Sequence, residues 1–154
     1  MRVRSFTSLH GLADGNRRCF AKLAAIEITP EQLVELRVKP GSDQERPVII
    51  DVRESNELKL AELPGADVHH VALSSLYEAL ENHGGDDQPN LVVEELLPSE
   101  CKMRSQTIVT LCHHGVRSKA IADLLKELGW TNVHSLYGGI DLYADSIDPT
   151  IGRY

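Results

Sequence analysis

The chain has 154 residues, of which 42% are hydrophobic and 25% charged, and this suffices for one domain with a packed core. A formal net charge of −7 argues against a general nucleic-acid binder, which would carry a basic surface. Three widely spaced cysteines do not make a disulfide framework and fit a reducing compartment, and no apolar run approaches the ~18 residues of a membrane span.

The first 25 residues differ in charge from the rest of the chain. Five cations stand against a single acid there: Arg2, Arg4, Arg17, Arg18 and Lys22 against Asp14. This composition is typical of a basic tail or of an organelle transit peptide, and it lacks the apolar core of a secretory signal. We therefore divide the chain into a basic extension over residues 1–25 and a single domain over residues 26–154. We expect a cytoplasmic protein, or a mitochondrial or other organellar one if the extension is a transit peptide.

The domain begins with a strand that leads into a helix. Residues 26–28 alternate, Thr29 is a favourable N-cap, and Pro30 suits the first helical position. A loop is expected over residues 39–44 from its composition. Residues 48–50 then form a continuous apolar run, typical of a strand that is buried on both faces.

The middle of the chain alternates between short elements. We predict a short helix over residues 54–63, a strand over residues 68–73 and a helix over residues 74–83. A loop over residues 84–90 then leads to a helix over residues 91–104 that is broken at Pro98. His69 and His70 are consecutive in the predicted strand, so they point to opposite faces and do not form a joint site. Cys101 is either a resolving cysteine for an oxidised Cys112 or an ordinary buried one.

Residues 106–128 read as a strand, a tight loop and a helix. An apolar, β-branched run over residues 107–111 predicts a buried strand, and Cys112 stands where this strand stops. Ser118 is a good N-cap type, so we predict that the helix begins just after Arg117, and Gly129 predicts its end. The last strand and helix are expected over residues 132–136 and 140–146, joined by the turn Gly138-Gly139.

A loop around a helix N-terminus has a chemical consequence. Its backbone N–H groups and the positive end of the helix dipole attract negative charge, so a thiolate at Cys112 is favoured. Gly115 supplies the backbone freedom of the turn, and Arg117 supplies a cation that faces an anion or a carboxylate. The alternative is an inert, buried cysteine. A zinc site of Cys112, His113 and His114 is disfavoured, because adjacent residues do not match the usual spacing of zinc ligands.

Two predicted strands end in polar residues that we expect to be neighbours. Functional groups gather beyond the carboxyl ends of strands in an open α/β sheet, and both Asp51 and Cys112 fall there. Asp51 is expected to accept hydrogen bonds from the loop or to pair with Arg117, which would hold the loop rigid. An exposed ion pair with Arg53 is the alternative, and the sequence does not separate the two.

Three motifs, in this order, resemble those of the single-domain rhodanese family of sulfurtransferases. They are Ile49-Ile50-Asp51-Val52-Arg53-Glu54, the loop Cys112-His113-His114-Gly115-Val116-Arg117-Ser118, and Leu136-Tyr137-Gly138-Gly139-Ile140. The resemblance implies a three-layer α/β fold with a central parallel five-stranded sheet and helices on both faces. It also implies that Cys112 is catalytic and carries a persulfide, that the loop residues bind the substrate, and that Asp51 supports the loop together with Arg53.

The same resemblance implies the reaction. Sulfane sulfur would pass from thiosulfate or another persulfide donor to a thiol, cyanide or a sulfur-carrier protein. Neither a metal nor an organic cofactor is expected, and neither is a nucleic-acid or membrane partner. His113 and His114 at the rim of the loop either modulate its charge or are simply exposed loop residues.

Two other functions stay open. Rhodanese-like folds also serve as non-catalytic binding or regulatory modules, although an intact loop with Cys112 argues against this. A cysteine phosphatase or an arsenate reductase also places a cysteine and an arginine at a helix N-terminus. Only four residues separate Cys112 from Arg117, however, and so tight a loop suits one sulfur atom better than a phosphoryl group.

Overall fold

The computed structural model describes residues 26–38, 46–82 and 89–154. The described chain contains a single sheet of five parallel strands, in the order β1-β5-β4-β2-β3. The strands are β1 (Ile26–Ile28), β2 (Val48–Asp51), β3 (Val68–His70), β4 (Ile108–Leu111) and β5 (Val133–Leu136). The basic extension over residues 1–25 and the predicted loop over residues 39–44 lie outside the described residues.

Six α-helices cover the sheet within these described ranges. They are α1 (Pro30–Val38), α2 (Ser55–Leu58), α3 (Leu73–Asn82), α4 (Pro89–Leu96), α5 (Val116–Glu127) and α6 (Gly139–Ser146). Short 3-10 turns follow α4 at Ser99–Lys102 and α6 at Pro149–Ile151. No helix in the described part of the chain is long and apolar enough to span a membrane.

The core lies in two layers, one on each face of the sheet. On one face, Ile50 and Ile108 pack in a cluster with Leu76 of α3, Val93 of α4 and Leu125 of α5. The cluster on the other face joins strand residues to α1 and α6, and it includes Ile49, Val109, Leu33, Ile140 and Tyr143. Neighbouring residues of β2 and β4 thus point into opposite layers, which is why these strands read as continuous apolar runs. The predicted three-layer α/β fold is confirmed.

Local sequence preferences account for the start of α1. The Thr29 hydroxyl accepts a hydrogen bond from the Gln32 N–H at 3.3 Å, and the Gln32 side chain accepts one from the Thr29 N–H at 2.8 Å. This reciprocal pair satisfies two N–H groups that the helix itself leaves open, and Pro30 has no N–H to satisfy. The predicted cap at Thr29 is confirmed.

Several predicted boundaries are wrong. The strand expected over residues 68–73 ends at His70, and the next helix already begins at Leu73. The loop expected over residues 84–90 extends too far, because Pro89 and Asn90 already belong to α4. Proline favours the first turn of a helix, where its missing N–H costs nothing, and its presence marks a start here rather than a loop. The predicted break at Pro98 is confirmed, since α4 ends at Leu96 and a 3-10 turn follows.

We expect Ile50→Ala to lower the free energy of unfolding by about 2–5 kcal/mol, because the fully buried Ile50 side chain would leave a cavity in the central sheet. Ile26→Ala is the matched control, since Ile26 is 61% exposed on the edge strand β1 and its loss should cost within about 0.5 kcal/mol. Urea unfolding followed by the fluorescence of Trp130, the one tryptophan, measures both. Equal effects of the two substitutions would contradict this packing.

Candidate active site

Cys112 lies directly after β4, with its side chain 1% exposed. Its Sγ accepts a hydrogen bond from the Gly115 N–H at 3.1 Å and lies 3.4 Å from the Ser118 Oγ. Strand β2 pairs with β4 so that Asp51 is opposite Leu111, and the Val52 N–H donates to the Leu111 carbonyl at 2.8 Å. The two strand ends are therefore neighbours, as predicted.

The helix after the loop begins earlier than the sequence predicts. Helix α5 starts at Val116, and Gly115 is its N-cap with a φ of +91°, so the prediction of Ser118 as the cap is wrong. The Ser118 hydroxyl instead points into the core, where it donates to the Gly115 carbonyl at 3.1 Å and lies 3.0 Å from the Ser135 Oγ of β5. The predicted end of this helix is confirmed, since α5 ends at Glu127 and Gly129 lies just beyond it with a φ of +105°.

The turn at Gly139 supports the loop from outside. The N–H groups of Ile140 and Asp141 donate to the carbonyls of Cys112 and His113, at 2.9 and 3.2 Å. A Cβ atom on Gly139 would lie 2.3 Å from each of these two carbonyl oxygens, which no side chain tolerates. The N–H groups of His113 and His114 belong to the same two peptides as these carbonyls. Because the N–H of a trans peptide points opposite to its C=O, both N–H groups point away from α6.

Arg117 pairs with Glu57 of α2. The Arg117 Nη1 and Nη2 donate to Glu57 Oε2 and Oε1, each at 2.6 Å, which is the two-pronged geometry that arginine favours. The hydrogen bonds from Arg117 lower the pKa of Glu57 to about 2, and those from Glu57 raise the pKa of Arg117. The partner of Arg117 is thus Glu57, and the expected pairing of Arg117 with Asp51 is wrong.

Asp51 and Arg53 form a buried ion pair. The Arg53 Nη2 lies 2.6 Å from Asp51 Oδ2, the Arg53 Nε donates to Oδ1 at 3.0 Å, and the Arg53 backbone N–H donates to Oδ1 at 3.1 Å. Burial is the largest single influence on Arg53 and disfavours its charge, but the hydrogen bonds and charge interactions with Asp51 and Tyr154 together raise its pKa. The alternative pairing with Arg53 is therefore present, but the pair is buried and not exposed.

Tyr154 connects these two ion pairs. The Arg53 Nη1 donates to the Tyr154 Oη at 3.1 Å, and the Tyr154 Oη donates to Glu57 Oε1 at 3.1 Å. Neither Glu57 nor Tyr154 is identified as a site residue from the sequence alone. Glu57 is one of several acids in the predicted short helix, and no local pattern marks Tyr154, which is 97 residues away from its partner.

The two histidines of the loop lie in a stack of rings. The centroids of His113 and His114 are 3.7 Å apart, and the Tyr154 ring stacks on His113 at 4.0 Å. Burial, followed by the proximity of His114, lowers the pKa of His113, so its ring is neutral near pH 7. His114 is exposed at the rim, where its Nδ1 lies 3.9 Å from Asp141.

Cys101 packs in the same hydrophobic cluster as Cys112. Its side chain is fully buried, and burial raises the pKa of its thiol to about 12. Its carbonyl accepts a hydrogen bond from the Trp130 indole at 2.7 Å. A thiol that stays protonated at neutral pH is a poor nucleophile, so these contacts favour ordinary burial over a resolving role.

Comparisons with known proteins identify the family of this chain. The family model "Rhodanese-like domain" matches residues 29–146. The adenylyltransferase and sulfurtransferase uba4 of Pyricularia oryzae is 27% identical over 89% of this chain and 28% of that protein. The thiosulfate sulfurtransferase GlpE of Pseudomonas putida is 29% identical over 75% of this chain and 82% of that protein.

The fold agrees with a solved structure as well. The human single-domain sulfurtransferase TSTD1 superposes with a TM-score of 0.57 at 20% identity, over 79% of this chain and 97% of that one. At this identity the likeness shows a shared fold. The chain spans less than a third of the length of the adenylyltransferases and sulfurtransferases that it matches.

The pKa of Glu57 makes the contribution of its ion pair dependent on pH. Its pKa is about 2 in the folded chain against 4.5 for an unperturbed glutamate, so the ionised folded state is stabilised above pH 4.5. We expect the natural chain to be more stable than Glu57→Gln by a constant amount above that pH. The difference should shrink as the pH falls from 4.5 towards 2.

Urea unfolding at a series of pH values measures this difference. Glu62→Gln removes an exposed acid that follows the same short helix, and it should leave the stability nearly unchanged across the range. A difference between the natural chain and Glu57→Gln that does not vary with pH would show that the ion pair contributes nothing.

Proposed function

The chain belongs to the family of rhodanese-like domains, and we propose that it is a sulfurtransferase that carries sulfane sulfur as a persulfide on Cys112. Membership of this family supports sulfurtransferase activity in general. Thiosulfate as one donor is supported by the Pseudomonas relative, a thiosulfate sulfurtransferase whose length this chain largely spans. The observation that carries the proposal is the hydrogen bond from the Gly115 N–H to the Cys112 Sγ at the N-terminus of the 12-residue helix α5.

The first step is a displacement at sulfur. The Cys112 thiolate attacks the sulfane sulfur of the donor and forms a new S–S bond, while the bond between that sulfur and the rest of the donor breaks. The leaving group departs with the electron pair, as sulfite from thiosulfate or as a thiolate from a persulfide. Cys112 is left with a terminal sulfur that carries one negative charge.

The loop is suited to stabilise this terminal sulfur. Two N–H groups, those of His113 and His114, are turned away from α6, and the Gly115 N–H already faces the Cys112 Sγ. Together with the positive end of α5, such fixed dipoles stabilise an anion without having to reorient. In the second step a thiol, cyanide or a sulfur-carrier protein attacks the terminal sulfur, and the Cys112 thiolate leaves with the electron pair.

Arg117 is assigned to holding the loop. Both of its Nη atoms are engaged by Glu57, which ties the first turn of α5 to α2. An arginine committed in this way is less suited to clamp a phosphoryl group, and this disfavours the phosphatase and arsenate reductase alternatives. The hydrogen bond from the Gly115 N–H to the Cys112 Sγ favours sulfur chemistry over a purely binding module. We propose the cytoplasm as the location of the protein, with an organelle as the alternative.

Brief incubation with thiosulfate, or with a small-molecule persulfide, should add the mass of one sulfur atom to the natural chain. We expect cyanide to remove this sulfur, since it attacks the terminal atom. Cys112→Ser should gain nothing, and Cys101→Ser should behave as the natural chain does, because the protonated thiol of Cys101 does not attack. Intact-protein mass spectrometry under non-reducing conditions follows all three.

Two results would refute the proposal. One is a natural chain that gains no sulfur from either donor although it is folded, and the other is a Cys112→Ser chain that still gains one. In either case we would next assay phosphatase activity and arsenate reduction. If both were absent, we would treat the chain as a binding module.

A further inference from the structure

Tyr154 makes two kinds of contact beside the sulfur site. Its hydroxyl lies between Arg53 and Glu57, accepting from the first and donating to the second. Its ring stacks on His113, the residue that follows Cys112, with the two planes 12° apart. The Tyr154 side chain thus contacts both the ion pairs beside the loop and the loop residue His113.

The hydroxyl completes a chain of contacts that runs from the sheet to α5. Asp51 is the last residue of β2 and holds the fully buried Arg53, which reaches Tyr154. Tyr154 then reaches Glu57, whose carboxylate binds Arg117 in the first turn of α5. Without the phenol, the hydrogen bonds from the Arg53 side chain to Glu57 reduce, among the described residues, to the long bond of 3.5 Å from Arg53 Nη1 to the Glu57 backbone carbonyl.

The segment that carries Tyr154 is itself anchored. The Arg153 Nε and Nη2 donate to the two carboxylate oxygens of Asp141, at 2.7 and 2.9 Å. Asp141 lies in the first turn of α6 and its N–H binds the His113 carbonyl. Tyr154 is therefore held in position by the same helix that orients the loop peptides.

We propose that Tyr154 is a positioning residue for sulfur transfer, which holds the loop between Cys112 and Gly115 in the conformation that faces the sulfur. The phenol fixes Glu57, and through it Arg117 at one end of the loop. The ring restrains His113 at the other end. Removing the whole side chain releases both ends, whereas removing only the hydroxyl releases one.

Three variants separate these contributions. Tyr154→Leu removes the ring and the hydroxyl, Tyr154→Phe keeps the stacked ring, and Tyr77→Phe is the matched control on an exposed tyrosine of α3. Hydrogen exchange of the Gly115 amide, measured by NMR against the Ile50 amide of the same protein, reports whether the loop opens locally. Ile50 lies in the central sheet, so it reports global unfolding.

We expect the Gly115 amide to exchange about tenfold faster in Tyr154→Leu and about threefold faster in Tyr154→Phe, relative to Ile50, and to be unchanged in Tyr77→Phe. The rate constant for sulfur loading at saturating thiosulfate should fall in the same order. The half-saturating concentration should stay within about twofold, because a positioning residue acts on the reacting loop and not on donor binding.

Two results overturn the inference: an unchanged exchange ratio at Gly115 in Tyr154→Leu, or a loss of activity that lies entirely in the half-saturating concentration. If Tyr154→Leu does not fold, Tyr154→Phe alone tests the inference, through the same ratio of amide exchange at Gly115 to that at Ile50. The kinetic part rests on the proposed function, but the exchange part does not. A natural chain that takes up no sulfur therefore refutes the sulfurtransferase proposal, while exchange still decides the role of Tyr154.

Discussion

The absence of a side chain at Gly139 determines which way the peptide groups after Cys112 point. Because no Cβ is present, the first N–H groups of α6 come close enough to bind the carbonyls of Cys112 and His113. Those carbonyls are satisfied on the outer side of the loop, and the N–H groups of the same peptides are turned the other way. The Gly115 N–H, which faces the sulfur, completes this arrangement. The electrostatics of the site thus depend on a turn that lies outside the loop.

The two arginines near Cys112 are each paired with a carboxylate. The fully buried Arg53 would be costly alone, and Asp51 offsets that cost through hydrogen bonds in a fixed geometry. Arg117 is bound at both Nη atoms by Glu57. The two arginines therefore fix the loop relative to the sheet, and in the proposed mechanism the sulfur anion would be stabilised by backbone N–H groups and by the N-terminus of α5. Fixed dipoles of this kind suit a site where charge moves between a thiolate and a terminal sulfur.

The sequence sufficed where local preference and burial agree. The strand before Cys112, the cap at Thr29 and the neighbouring ends of β2 and β4 follow from apolar runs, capping residues and parallel topology. Other features depend on contacts between distant parts of the chain. Ser118 has the chemistry of a cap, but Ser135 of β5 gives its hydroxyl a partner in the core. Which acid pairs with Arg117, and whether Asp51 and Arg53 are exposed or buried, follows only from contacts between residues that are distant in the sequence.

The proposed function requires that the loop holds an anionic sulfur on Cys112. A crystal structure of the natural chain after treatment with thiosulfate tests it most directly. We expect one additional sulfur at about 2.05 Å from the Cys112 Sγ, within hydrogen-bonding distance of the loop N–H groups. A Cys112 that carries no added sulfur in crystals of folded, treated protein, or an added sulfur that points away from these N–H groups, would contradict it.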